Sequence, residues 1–357
     1  MNRLHEFRKL LSEINLDGFF TTSIPNITCL TGFKGDSSRL LISRNRAILI
    51  TDGRYTEQAK NECSSDIEVF KWVDNKRYAS ETYSHLLREL QIKTLGIEGN
   101  ALTVAEFETL QKSAQNIVIS NKQGLTEKLR AVKNTEEVEY LRKACLISDI
   151  ALEKTLPFIK EGITELELTA QLDYQLKMNG AENLSFDTMV LSGARTSFLH
   201  GRPGNKKLQI GDFVLFDFGA LYGGYHADIS RTFMLGSPSA QQKEMYQVIF
   251  EAQSAAVSAI KPGITSKELD ALVRSILPAK YHEYYYPGLG HGVGLEIHET
   301  PFLGRDYEAT LEANNVITIE PGIYIPEFGG LRIEDTVWVQ QDKSEPLTNF
   351  PKELTVL

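Results

Sequence analysis

The feature that most constrains the fold of this chain is an internal repeat. Residues 159–168 match residues 260–269 at seven of ten positions, at an offset of 101 residues. Each copy has a glycine where a helix end favours one, followed by a Thr-x-x-Glu pattern that predicts a capped helix start. Two copies are too few for a stacked repeat array. The repeat therefore predicts one domain with two pseudo-symmetric halves and a functional site between them.

The two halves also share a pattern of acidic residues in apolar segments. Residues 213–220 and 315–324 are predicted strands, and each is followed by a glycine turn and a second predicted strand. Each predicted strand contains one acid, and the four acids are Asp217, Asp228, Glu320 and Glu334. One such acid alone is more often an edge or turn residue. Four acids at mirrored places would repel one another in a core without cations, so the pattern predicts a metal site.

His291 supplies a candidate nitrogen ligand for that site. It lies in a glycine-rich segment, residues 288–294, whose spacing does not fit a dinucleotide-binding loop. Four carboxylates and one imidazole suit two divalent ions such as Mn²⁺, Co²⁺ or Zn²⁺. Two such ions can share a bridging hydroxide that acts as a nucleophile.

The first third of the chain alternates predicted helices and strands, which is typical of an α/β domain. The predicted helices are 4–14, 54–62, 78–90 and 104–113, and the predicted strands are 17–22, 40–42, 47–50, 67–72, 95–97 and 117–119. Residues 120–124 form a polar stretch that we take as the domain boundary, which gives domains 1–123 and 124–357. Asn134 and Glu137 then predict a capping box for a helix that reaches Ile159.

Composition excludes several classes of protein. No segment approaches 18 consecutive apolar residues, and the N-terminus lacks the apolar core of a signal peptide. The three scattered cysteines argue against a disulfide framework or a cysteine zinc site. The net charge of −9 disfavours nucleic acid as a partner. We therefore expect a cytoplasmic protein without nucleic-acid or membrane partners.

The acid-containing segments resemble the motifs of the prolidase and aminopeptidase P family of pita-bread metallopeptidases. The matching segments are 217–220, 228–232, 290–294, 320–324 and 332–335. Residues 30–33 and 51–55 resemble the creatinase-type N-terminal domain of that family. The resemblance implies an α+β chain, with a creatinase-type α/β domain followed by a pseudo-two-fold pita-bread catalytic domain. It also implies an Xaa-Pro exopeptidase that acts on short peptides with proline at position two and forms a homodimer.

The resemblance further implies a role for each candidate residue. The implied ligands of two divalent ions, with manganese first and cobalt or zinc as alternatives, are Asp217, Asp228, His291, Glu320 and Glu334. Glu320 would also accept a proton from the attacking hydroxide. His200 would contact the substrate, and His298 would stabilise the tetrahedral intermediate. Arg332 is a candidate substrate-binding residue that could equally form a structural ion pair.

The length of the substrate is the main open point. Many members of the family with dipeptidase activity have an arginine directly after His-x-x-Pro, where it helps to hold the substrate carboxylate. Phe302 occupies that position here, which favours an Xaa-Pro aminopeptidase, although Arg305 lies close by. An Xaa-Pro dipeptidase is the alternative.

Other members of the fold are less favoured. Methionine aminopeptidases usually lack the N-terminal domain, and creatinase and the non-catalytic binding modules lack the metal ligands. His226 shares a strand face with Asp228 but occupies a position that the family does not use as a ligand. The sequence does not decide whether His282 and residues 284–286 line the cleft or pack in the core.

Overall fold

The computed structural model describes residues 3–72 and 79–357 of the chain. The chain divides into two compact units, with the boundary between Arg130 and Ala131. None of the helices in these described ranges is long and apolar enough to cross a membrane.

The first unit is a twisted sheet with helices on both faces. The sheet has six strands in the order β4-β3-β2-β1-β5-β6. Phe19 and Phe20 are neighbours on one strand and belong to different apolar clusters, because successive side chains point to opposite faces. The strands are β1 (Gly18–Thr21), β2 (Ser38–Ser43), β3 (Ala47–Thr51), β4 (Glu68–Lys71), β5 (Thr94–Ile97) and β6 (Val118–Asn121). The helices are α1 (Arg3–Glu13), α2 (Ile24–Thr31), α3 (Thr56–Glu62), α4 (Ala79–Glu89), α5 (Val104–Ser113) and α6 (Leu125–Ala131).

The predicted α/β pattern of this unit is confirmed, and the consecutive strands β2 and β3 pair antiparallel. Helices α2 and α6 were not predicted. The start of the third predicted helix, at Tyr78, lies outside the described residues. The sequence placed the boundary at 123 and 124, whereas α6 belongs largely to the first unit because Leu125 and Leu129 pack against its apolar core.

The second unit contains several small sheets around the candidate site. Three sheets have the orders β11-β10-β7, β12-β9-β8 and β14-β13-β15-β18-β19, and β16 pairs with β17. The helices are α7 (Thr135–Thr155), α8 (Glu165–Met178), α9 (Ala240–Ala259) and α10 (Ser266–Ile276). The strands are β7 (Asn183–Leu184), β8 (Met189–Ser192), β9 (Phe213–Phe218), β10 (Ala220–Tyr222), β11 (Tyr225–His226), β12 (Ile229–Met234), β13 (Gly288–Gly292), β14 (Glu299–Gly304), β15 (Val316–Ile319), β16 (Gly322–Ile325), β17 (Gly329–Arg332), β18 (Asp335–Val339) and β19 (Ser344–Pro346).

The repeat forms the same local structure twice. Gly162 and Gly263 have φ angles of +86° and +90°, which favour glycine. Gly162 lies in the connection between helices α7 and α8, and Gly263 lies in the connection between α9 and α10. Thr164 and Thr265 cap these second helices, and each forms the predicted reciprocal capping box. The predicted pseudo-symmetric pita-bread architecture is confirmed.

Three predicted elements were too long. Helix α7 ends at Thr155 rather than Ile159, because Pro157 lacks the N–H that a continuing helix needs. The strand predicted over 213–220 breaks at Gly219, and the strand over 315–324 breaks at Pro321. At each break the chain passes from one sheet to another. Both breaks lie beside a candidate metal ligand.

Candidate metal centre

The four candidate acids lie at the ends of strands that meet around one cavity. Asp217 is the only one of the four within a strand, β9, whereas Asp228 precedes β12, Glu320 follows β15 and Glu334 precedes β18. The prediction of one acid inside each strand was therefore wrong in detail. The strand ends are favourable positions, because a carboxylate there can leave the ladder and point into a cavity.

Three of the predicted ligands already have the spacing of a metal site. One ligand atom each of Asp228, His291 and Glu334 lies within 4.8 Å of the other two, and all three residues are buried. The Nε2 atom of His291 lies 3.4 Å from Glu320 Oε1 and 3.6 Å from Asp228 Oδ2. The His291 ring, on β13, thus lies between acids from both halves of the unit.

The local hydrogen bonds orient the His291 ring for metal binding. Its Nδ1 atom lies 3.0 Å from the carbonyl oxygen of Gly292, so Nδ1–H donates to that oxygen. This tautomer leaves the lone pair of Nε2 directed at the carboxylates. Burial lowers the pKa of His291, which favours the neutral ring that a metal requires.

Ser230 and Arg332 connect the acids to one another. The Ser230 hydroxyl lies 3.1 Å from Asp217 Oδ1 and 2.7 Å from Glu334 Oε2, and it accepts a hydrogen bond of 2.8 Å from Arg332 Nε. The Arg332 guanidinium also donates to the other oxygen of Asp217 and, at 2.7 Å, to the Tyr324 hydroxyl. Arg332 lines the cavity, but these contacts are those of a residue that orients acids.

Burial and mutual repulsion make the charged form of these acids unfavourable. Desolvation raises the pKa of Asp228 and Glu334 well above the usual range, and the neighbouring carboxylates raise it further. Desolvation also raises the pKa of Glu320. The Oε1 atom of Glu334 is buried without a hydrogen-bond partner among the described residues. Such an oxygen is costly unless a cation binds it, so these residues fit divalent metal ions.

The four acids line a cavity of about 380 Å³. His200 and His298 line the same cavity, as the sequence analysis expected of substrate-contacting residues. The rings of His298 and His291 meet edge to face with centroids 4.4 Å apart. Burial and the neighbouring His291 lower the pKa of His298. A neutral His298 can donate a hydrogen bond from one ring nitrogen to a carbonyl oxygen in the cavity.

Phe302 lies on β14 directly opposite the candidate ligand His291 on β13. The residue is 37% exposed, and its ring stacks on that of Tyr307, with centroids 5.7 Å apart. The guanidinium of Arg305 pairs with Asp306. Among the described residues, neither Arg305 nor Asp306 is part of the cavity wall. His226 bonds through Nδ1 to Ser185, and His282 bonds to the carbonyl oxygen of Leu277.

The tyrosines of residues 284–286 divide between core and cavity. Tyr285 is buried in the core, and Tyr286 lines the cavity. Ser230 is the site residue that the sequence analysis missed. A hydroxyl two residues from an acid shares its strand face, and this signal could have identified both Ser230 after Asp228 and Thr318 before Glu320. The Thr318 hydroxyl lies 3.3 Å from Glu320 Oε1.

The fold and the site define a two-domain metallopeptidase. The family model of metallopeptidase family M24 matches residues 139–341, and that of the creatinase/prolidase N-terminal domain matches residues 3–132. The chain belongs to metallopeptidase family M24, whose members use divalent metal ions.

Three similar proteins show how closely the chain matches the family. A relative described as an Xaa-Pro dipeptidase of Pyrococcus horikoshii is 39% identical over 97% of this chain and 96% of its own length. A solved structure described as an Xaa-Pro dipeptidase from Bacillus anthracis has 38% identity and a TM-score of 0.95, and it covers 99% of both chains. A second solved structure, described as an X-Pro aminopeptidase from Thermotoga maritima, has 35% identity and a TM-score of 0.92. It covers 100% of both chains.

Proposed function

We propose that this metallopeptidase hydrolyses the bond between the first residue of a short peptide and a following proline. The observation that carries the proposal is the convergence of five candidate ligands on one cavity, with a buried oxygen of Glu334 left for a cation. The five are Asp217, Asp228, His291, Glu320 and Glu334. Similar proteins described as Xaa-Pro peptidases of both substrate lengths support the choice of substrate.

These five residues would hold two divalent ions, and we propose manganese first, with cobalt or zinc as alternatives. When bound, the ions would supply a hydroxide nucleophile and polarise the scissile carbonyl. The residues of the chain position the peptide and move the proton. His200 and His298 donate hydrogen bonds to the carbonyl oxygen as it gains charge. Glu320 accepts a proton at the cavity wall and delivers it to the proline nitrogen, which is a poor leaving group without one.

The length of the peptide is a separate matter. The expectation of an aminopeptidase depended on an apolar Phe302 beside the substrate, and Phe302 lies opposite the candidate ligand His291 in the sheet. Its side chain supplies no cation for the carboxylate of a dipeptide. Xaa-Pro dipeptides and longer Xaa-Pro peptides are both candidate substrates, and the similar proteins include both descriptions.

Metal content and kinetics together test the proposal. We expect chelation to abolish hydrolysis and Mn²⁺ or Co²⁺ to restore it, with elemental analysis that finds two ions per chain. Ala-Pro and Ala-Pro-Ala should be cleaved, and Ala-Ala should be cleaved at least tenfold more slowly, a difference of about 1.4 kcal/mol in transition-state stabilisation. Active protein without bound metal, or a preference for Ala-Ala, would exclude the proposed function.

A further inference from the structure

The candidate site leaves the C-terminal end of a dipeptide without an obvious partner. In an Xaa-Pro dipeptide a carboxylate follows the proline ring directly, and the cavity wall is rich in acids. An unpaired carboxylate is costly to move out of water, so a site that favours dipeptides needs a cation at this end. In a longer peptide, a neutral amide occupies the same place.

Among the described residues, two arginines line the cavity, and they differ in their contacts. The guanidinium of Arg332 is buried and donates to Asp217, Ser230 and Tyr324. The side chain of Arg202 is exposed, and within residues 3–72 and 79–357 its guanidinium forms no ion pair or hydrogen bond. Arg202 is therefore the cavity arginine that remains available to an anionic ligand.

The backbone around Arg202 is held in place although its side chain is not. Arg195 Nη2 donates a hydrogen bond of 2.6 Å to the carbonyl oxygen of Arg202. The N–H of Gly204 donates to Glu165 Oε2 at 3.0 Å. Glu165 is fully buried and pairs with Arg195 at 3.1 Å. A fixed backbone that presents a free guanidinium reduces the ordering that binding requires.

The position of Arg202 in the chain suits the end of a dipeptide. It follows His200 by two residues, and the segment from Leu199 to Pro203 lines the cavity throughout. Two residues of chain span at most about 7 Å between Cα atoms, and the arginine side chain extends this reach. One loop can therefore present His200 to the scissile carbonyl and Arg202 to the carboxylate one residue further on.

We propose that Arg202 binds the C-terminal carboxylate of Xaa-Pro dipeptides and that it makes the enzyme select dipeptides over longer peptides. The guanidinium can bind both carboxylate oxygens through two parallel hydrogen bonds. This inference rests on the proposed function, because it assigns the substrate length of the same site. It assigns to Arg202 the carboxylate contact that the apolar Phe302, opposite His291, cannot supply.

The test compares Ala-Pro with Ala-Pro-amide, which lacks only the negative charge, on manganese-loaded full-length enzyme. We expect the wild-type enzyme to favour Ala-Pro by at least tenfold in kcat/KM. Arg202→Gln should reduce this ratio by about ten- to a hundredfold, the range for loss of a hydrogen bond between charged groups. The loss should lie mainly in the KM for Ala-Pro. Arg202→Lys should retain part of the preference, because it keeps the charge.

Arg305→Gln is the matched control, since Arg305 is also exposed but lies outside the cavity wall, and it should leave the ratio unchanged. Competitive inhibition by L-proline and L-prolinamide provides a second readout, and only inhibition by L-proline should weaken in Arg202→Gln. An unchanged ratio in Arg202→Gln, or equal losses for both substrates, would overturn the role of Arg202. A wild-type enzyme that cleaves neither substrate would instead contradict the proposed function.

Discussion

Two glutamates, Glu98 in the first unit and Glu334 in the second, are buried to the same extent but in opposite surroundings. Each is 1% exposed. Both oxygens of Glu98 have neutral partners: Thr21 donates to Oε2, while Asn26 and Thr126 donate to Oε1 at 2.9 and 3.2 Å. Among the described residues, the carboxylate of Glu334 accepts one hydrogen bond, from the Ser230 hydroxyl to Oε2, and its Oε1 atom has no partner.

The difference shows that burial alone does not identify a metal ligand. Desolvation raises the pKa of both glutamates. At Glu98, three hydroxyl and amide donors oppose this shift and one carboxylate, Glu127, adds to it. At Glu334, the two carboxylates of Glu320 and Asp217 are the largest additions to the shift, and Arg332 and Ser230 oppose it. A buried acid with complete hydrogen bonding is typical of a structural network, and a buried acid among other acids requires a cation.

Glutamine substitutions at the two sites make the sharpest test of this comparison, because they keep the shape and remove the charge. We expect Glu334→Gln to lose bound metal and more than about a thousandfold in kcat/KM, beyond the loss of a single transition-state donor. Glu98→Gln should keep both metal content and activity. Elemental analysis and Ala-Pro hydrolysis measure the outcome, and equal metal content in the two variants would contradict the assignment.

A smaller loss is expected for residues that contact the substrate rather than the metal. His298→Ala and His200→Ala should each lower kcat by about 10²–10³ while metal content stays unchanged, since each removes one donor to the carbonyl oxygen. His226→Ala is the control, because His226 bonds to Ser185 and lies outside the cavity wall. Loss of metal in either cavity variant would show that the proposed ligand set is wrong.

A substitution at Ser230 tests whether a residue that bonds to the metal ligands affects metal binding. Ser230→Ala removes the hydroxyl shared by Asp217, Glu334 and Arg332, and we expect metal affinity or activity to fall by about ten- to a hundredfold. Metal titration of the apo-protein would measure the change. Ser258→Ala, which removes a helix-surface hydroxyl, should have no effect. Equal affinities in the two variants would exclude a positioning role for Ser230.

The smallest effect concerns stability rather than catalysis. Because the pKa of Glu98 is raised in the folded state, its contribution to stability is present below the pKa of the unfolded chain. That contribution is lost as pH rises through the folded pKa. We therefore expect Glu98→Gln to gain stability relative to wild type as pH rises above the unfolded pKa of about 4. Urea unfolding at several pH values measures this, and parallel stability curves would contradict the raised pKa.

Local patterns in the sequence were sufficient for much of the architecture. The repeat at residues 159–168 and 260–269 predicted both capped helices, because capping depends on residues within one turn. The alternation of the first unit predicted its α/β sheet. Helix α2 was missed because its apolar residues form a short segment in which helix and strand patterns look alike.

For the candidate site, too, the sequence predicted one part and only the tertiary structure decided the rest. The mirrored acids and His291 were identifiable from the sequence, because their positions follow the repeat and resemble family motifs. Only the tertiary structure decided how they meet: Arg332 and Ser230 bond to acids from distant strands, and Glu334 keeps an oxygen free of partners. It also placed Phe302 opposite His291 and Arg202 on the cavity wall. The direction of a side chain depends on the packing of segments far apart in sequence, which no local pattern records.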